Sequence, residues 1–129
     1  MSIIGIIVAA IIGMALGALW YSPLLLGNQW MQCLGKTKET LGSETLLMIG
    51  SIIASVLTAV GIALIHSMVG VNDLLTAISI GLVLGFLIIY PAFLSDNLFC
   101  GWGGRLLCIQ TGYRVLSVLL MSVIIYLIG

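Results

Sequence analysis

Arg114 is the residue whose type and position could do the most chemistry in this chain. It stands about eight residues inside an apolar run that begins near Leu106, or roughly 12 Å along a helix. An arginine at the centre of a bilayer costs about 2.5–3.5 kcal/mol on insertion scales, so it must face protein and find partners. Three partners are within reach by sequence. Gln110 lies one helical turn earlier on the same face. Asp96 follows the preceding apolar run on the same side of the membrane. Pro91 cannot donate to the carbonyl four residues before it, which frees the Leu87 oxygen near the depth of Arg114. Together with Tyr113 and Tyr90, these residues form a candidate intramembrane polar cluster. The expectation is a brace in which Arg114 reaches Asp96 and the freed carbonyls. The other reading is a holder for an anionic substrate or a lipid headgroup.

Other reactive groups are sparse. His66 is the lone histidine, near the end of its apolar run, with Asp73 just beyond. The expectation is a histidine stabilised by the helix dipole, the other reading a pH sensor. It has no surrounding Cys, Asp or Glu cluster, so neither a metal site nor a haem site is indicated. Cys33, Cys100 and Cys108 show no CxxC spacing and no disulfide framework. No Ser/His/Asp set, paired intramembrane carboxylates or nucleotide-cradling glycine loop is discernible. The expectation is therefore a protein that is not an enzyme and needs no cofactor.

The elements that must position these residues follow from composition. The chain has 129 residues, 62% of them hydrophobic and 6% charged. A soluble domain carries about 25% charged residues to face water. Here lipid must solvate most of the outside. Lipid cannot satisfy backbone N–H and C=O groups, so only helices or a closed barrel qualify. Long unbroken apolar runs exclude the barrel, whose strands alternate. A net charge of zero argues against a nucleic-acid partner, which demands a basic face.

Residues 1–129 therefore read as one all-α membrane domain with four transmembrane helices, at about 2–20, 46–69, 74–94 and 106–128. No basic segment precedes the first run, so a retained helix is expected rather than a cleaved signal. Gly70 to Asp73 makes a tight turn, with Asn72 or Asp73 suited to cap the third helix. The second and third helices are thus expected as an antiparallel hairpin. Ser95 to Arg105 reads as a short glycine-rich loop. Between Ser22 and Thr45, the stretch Leu24 to Leu34 puts Leu26, Trp30 and Leu34 on one face and Asn28, Gln32 and Lys36 on another. That pattern predicts a short helix lying in the interface. Glu39 and Glu44 in the same connection read as solvated surface. Lys36, Lys38 and Arg105 fall on one side of the membrane and no basic loop residue on the other. The positive-inside rule then places both termini outside the cytoplasm. Trp20, Trp30 and Trp102 mark the headgroup level on the basic side.

Lipid tails are as apolar as leucine, so helices associate through close backbone approach at small residues. Every helix carries such a stripe at four-residue spacing: Gly5, Ala9, Gly13 and Gly17; Ser51, Ser55, Ala59 and Ala63; Ala77, Gly81 and Gly85; Gly104, Cys108 and Gly112. The stripes do not say whether the facing helix belongs to the same chain or another copy. Sixteen glycines exceed what a minimal four-helix bundle needs, which favours at least a dimer.

The first helix ends in Trp20-Tyr21-Ser22-Pro23, followed by Gly27 and Trp30. Physically, Trp20 and Tyr21 anchor the helix end, Pro23 stops it and restricts Ser22, and Gly27 with Trp30 turns the chain along the interface. The segment resembles the WY(S/G)P…G…W signature of a bacterial family catalogued as domain of unknown function 1761. Gly112-Tyr113-Arg114 before an apolar run is similar to that family's Gly-Tyr-basic segment. The resemblance covers nearly the whole chain. It implies a small four-helix inner-membrane protein and no known activity. The functional expectation is a homo-oligomer or a subunit of a larger membrane complex, in contact with membrane lipid and with a second copy or another membrane protein. The alternatives are a small transporter or channel with a polar path near Arg114, and a lipid-binding protein.

Overall fold

In a computed structural model, residues 3–22, 27–34 and 44–128 are described, and no strand occurs among them. α1 spans Ile3–Trp20, α2 Gly27–Leu34 and α3 Glu44–Val69. α4 runs Leu74–Cys100 and contains a π-helical stretch, Leu84–Ile89. α5 spans Gly104–Ile128. α1, α3, α4 and α5 are each long and apolar enough to cross a bilayer, so the chain is a multi-pass membrane protein. α2 is the short helix predicted after α1. Asn28, Gln29 and Gln32 on it are exposed and Trp30 is half-buried. Residues 23–26 and Lys36, which entered the amphipathic pattern, lie outside the described residues.

α5 is the hub. It packs against α1, α3, α4 and, at its start, α2. Its buried residues include Leu106, Thr111, Ser117, Val118, Met121 and Ser122. α3 rests on α1 and α5 rather than along α4. The expected hairpin of the second and third helices is thus corrected. The two helices are joined by a tight turn, but α5 occupies the place between them.

The turns explain where the helices stop. Gly70 adopts φ 75° and its N–H donates to the His66 carbonyl at 2.9 Å, a left-handed cap that glycine adopts without strain. Asp73 is the N-cap of α4. Its carboxylate accepts from the Thr76 hydroxyl rather than from a backbone N–H. α4 continues past its expected end at Leu94 to Cys100. The buried Asn97 sets this boundary, because its Nδ2 donates to the Gly103 carbonyl at 3.0 Å and its own carbonyl accepts from Gly101 N–H at 2.8 Å. Gly101 at φ 68° makes the left-handed exit. The predicted loop of Ser95 to Arg105 shrinks to Gly101–Gly103.

Pro91 lies inside α4 instead of ending it. A proline ring clashes with the carbonyl four residues earlier and donates no hydrogen bond. The chain inserts an extra residue per turn just before it, so that Tyr90 N–H donates to the Gly85 carbonyl, five residues back. A single π turn is a known way to absorb such a defect.

Three of the four small-residue stripes form seams within the chain. Gly5, Ala9 and Gly13 are buried on α1. A Cβ on Gly13 would collide with Met121 Cε, and one on Gly17 would stand 2.9 Å from Tyr113 Oη. Ser55, Ala59 and Ala63 are buried on α3, whereas Ser51 is exposed. Ala77 is fully buried. Gly81 and Gly85 bring the α4 backbone onto α5, where added methyls would lie 2.8 Å from Leu119 Cα and 3.1 Å from Val115 Cα. The fourth stripe is corrected. Gly104 and Cys108 are exposed, and only Gly112 has a close neighbour, the Trp20 ring at 2.9 Å from an added Cβ.

Candidate site at the aromatic end of the bundle

The two sequence motifs meet in space where α1 ends and α5 begins. Trp20 Nε1 donates to the Ile109 carbonyl at 2.9 Å, and its ring covers Gly112. Only glycine at 112 admits the indole this close. Tyr113 Oη donates to the Gly13 carbonyl at 3.0 Å. These bonds staple α1 to α5 across about two turns. Tyr21 stacks between Trp30 on α2, at 4.9 Å between ring centroids, and Tyr113 on α5, at 5.5 Å. Ser22 Oγ donates to the Leu19 carbonyl at 2.7 Å, closing the end of α1. Gly27 N–H donates to the Ser22 carbonyl at 2.9 Å, and a Cβ on Gly27 would collide with the Tyr21 carbonyl. Pro23 lies outside the described residues. Five motif residues, Trp20, Tyr21, Ser22, Gly27 and Trp30, thus form one continuous corner.

Arg114 joins this corner. Its guanidinium carbon lies 5.1 Å from the Tyr113 ring centroid, a cation–π distance. Burial pushes the Tyr21 phenol up to about 12, while the Arg114 charge pulls it down and Tyr113 adds a smaller rise. Tyr21 is therefore a neutral hydroxyl at physiological pH.

The expected brace takes another form. Among the described residues, Arg114 makes no ion pair and donates no hydrogen bond. Val115 packs on Gly85, so Asp96, eleven residues beyond Gly85 (96 − 85), lies about 16 Å further along α4. Asp96 and Tyr90 are exposed. Leu87 is 67% exposed, on the face of α4 turned away from α5. Gln110 is half-buried one turn before Arg114. The structure therefore unites Arg114 with Tyr113 and the Trp20-Tyr21 corner, not with Asp96, Tyr90 or the Pro91 region.

At the other end of the bundle a second polar group was not foreseen. Ser122 Oγ donates to the Ala77 carbonyl at 2.7 Å and lies 2.8 Å from His66 Nε2. A serine hydroxyl has one proton. With that proton on Ala77, His66 must carry hydrogen on Nε2 and donate to Ser122. His66 stands in the last turn of α3, where the helix dipole favours it, and at 8% exposure it is also a bonded core group. Ser55 Oγ donates to the Ala10 carbonyl at 2.8 Å in the same manner. Ser55 stood in a recognised stripe, but as a spacer rather than a donor. Nothing marked Ser122 in the sequence beyond a polar residue in an apolar run. Every buried side-chain N or O among the described residues has a partner. No group of three or more His, Cys, Asp or Glu that could hold a metal occurs among them. Cys33, Cys100 and Cys108 are free thiols.

Four apolar spans, three of them packed on the fourth and closed at one end by an aromatic and arginine corner, define a small helical protein of the bilayer. The chain belongs to the family described as protein of unknown function DUF1761, whose model matches residues 4–126. Both motifs fall inside that match. No curated protein and no solved structure matches the chain.

Proposed function

We propose that this chain is a non-enzymatic protein of the inner (cytoplasmic) membrane that acts by assembly, as a homo-oligomer or as a subunit of a larger complex, with both termini outside the cytoplasm. The observation that carries this reading is a small-residue face on α3 that the fold leaves unused. Gly50, Ala54, Thr58 and Gly61 recur on one side of α3, away from the buried Ser55, Ala59 and His66. A Cβ at Gly50 or Gly61 would meet nothing within 4 Å. In lipid, small residues matter where another helix comes close, and among the described residues no helix of the same chain does. The stripe runs into an open apolar groove of about 170 Å³ lined by Thr58, Gly61, Ile65, Leu84, Ile89 and Val118. Of the residues that a polar transport path near Arg114 would use, Tyr113 has its hydroxyl committed to the Gly13 carbonyl. That weighs for assembly over transport.

The test is the native mass of the full chain in nanodiscs with bound molecules retained, for the wild type and for Gly50→Leu with Gly61→Leu. The expected wild type is a multiple of the protomer or a complex with another protein. The variant is expected as a folded protomer with an unchanged unfolding midpoint. A wild type that is a bare protomer, or a variant that assembles normally, would overturn the reading.

A further inference from the structure

We propose that Arg114 and Tyr21 form a site for a phosphate group at headgroup depth, walled by Trp20, Trp30 and Tyr113. The inference is independent of assembly. Helical side chains lean toward the helix N-terminus, and α5 begins at the end of the bundle that holds Trp20 and α2. A long side chain rooted at Arg114, ten residues past Gly104 (114 − 104), therefore reaches back toward that interface. The guanidinium carbon lies 5.1 Å from the Tyr113 ring centroid, and that ring meets Tyr21 edge-on at 5.5 Å, so the cation sits near the end of α1.

At that place the cation is held, and among the described residues it has no counter-charge. The Tyr113 ring supports one face of it, and Tyr113 is itself held by Gly13. Among the described residues no carboxylate or carbonyl accepts from its five N–H donors. A guanidinium keeps its charge at any physiological pH, and its planar fork matches two oxygens of one phosphate. Tyr21 adds a neutral hydroxyl held between Trp30 and Tyr113. Trp20 is locked by its bond to Ile109. The pieces are thus, among the described residues, a bidentate donor without an acceptor, a neighbouring O–H and rigid aromatic walls where α1 ends. A phospholipid brings its phosphate to this level, and a soluble phosphate would reach it from the water side.

The experiment uses the full chain in detergent with native mass spectrometry. Phosphatidylglycerol is compared with diacylglycerol of the same acyl chains, and inorganic phosphate is added as competitor. Wild type is expected to retain phosphatidylglycerol about tenfold better than Arg114→Gln, as for loss of a charge-assisted bond pair. Arg114→Lys should fall between, and diacylglycerol should bind all three alike. Arg105→Gln, an exposed cation at the start of α5, should behave as wild type. Displacement by millimolar inorganic phosphate assigns the site to a soluble phosphate, and resistance to it assigns the site to the lipid; either outcome supports the site. Tyr21→Phe covers the case in which Arg114→Gln fails to fold, because it removes only one oxygen. It should lower retention several-fold with an unchanged unfolding midpoint. Retention equal to wild type in Tyr21→Phe and Arg114→Lys, or an equal loss in Arg105→Gln, would overturn the proposal.

Discussion

Ser122 shows what a single hydroxyl does when water is absent. Its proton goes to the Ala77 carbonyl on α4 and its lone pair receives His66 from α3. One atom on α5 thereby ties the two helices that do not pack along each other. Hydrogen bonds between membrane helices contribute about 0.6 kcal/mol on average and up to about 1.7 kcal/mol, because the unfolded chain also finds partners in lipid. Ser122 is fully buried, and its loss would strand the His66 N–H, so Ser122→Ala is expected toward the upper part of that range. Tyr113→Phe, which loses the half-buried bond to Gly13, is expected near the average. Reversible unfolding in mixed micelles measures both, and equal or negligible losses would contradict the assigned network. Sequence reading located Arg114, Tyr113 and the Trp20-Tyr21 corner but paired Arg114 wrongly. The error came from counting depth without knowing which face of α4 meets α5. Gly85, not Leu87, turned out to face it.

At the level of elements, period and composition were enough to place four spans, because a run of bilayer length is a one-dimensional property. What they could not supply was the order of the helices around the core. Three stripes at four-residue spacing proved to be seams, yet nothing in their spacing said that α5 would be the common partner. α5 carries the weakest glycine stripe, and it uses Val115, Leu119 and Met121 to fill the notches cut by glycines on α4 and α1. The π turn before Pro91 was equally hidden. The proline announced a defect, but the choice between a kink and an inserted residue depends on keeping Gly81 and Gly85 against α5. This division of glycines gives a sharp prediction. Gly81→Ala puts a methyl 2.8 Å from Leu119 Cα, against backbone that cannot rotate away, and overpacking of this kind costs about 1–3 kcal/mol. Gly61→Ala meets nothing within 4 Å and should be neutral, or stabilising by up to about 1 kcal/mol from its gain in helix propensity. Unfolding of the dilute protomer that ranked the two variants alike would refute the seam assignment.

For the whole molecule, the turns fix which ends share a side, and one measurement then fixes which side is which. The ends of α1 and α4, the start of α5 and helix α2 lie together, as the Trp20–Ile109 bond and the Tyr21–Trp30 contact require. The α3–α4 turn lies at the opposite end, where Tyr126 Oη donates to the Asn72 carbonyl at 3.3 Å. Arg105 lies on the first side, and Lys36 and Lys38 follow α2 in the sequence, outside the described residues. Translocation disfavours basic loops, so that side is expected to stay in the cytoplasm. Cys100 is exposed at the end of α4, and Asn72 is exposed in the opposite turn. A chain keeping only Cys100, with Cys33 and Cys108 replaced by serine, should resist a membrane-impermeant maleimide in intact cells and react once the membrane is permeabilised. The same chain with Cys100 also replaced and Asn72→Cys added should react in intact cells. The reverse pattern would invert the orientation while leaving the fold intact. Labelling of both positions from outside would mean that α4 does not cross the bilayer, and the four-span arrangement around α5 would fail with it.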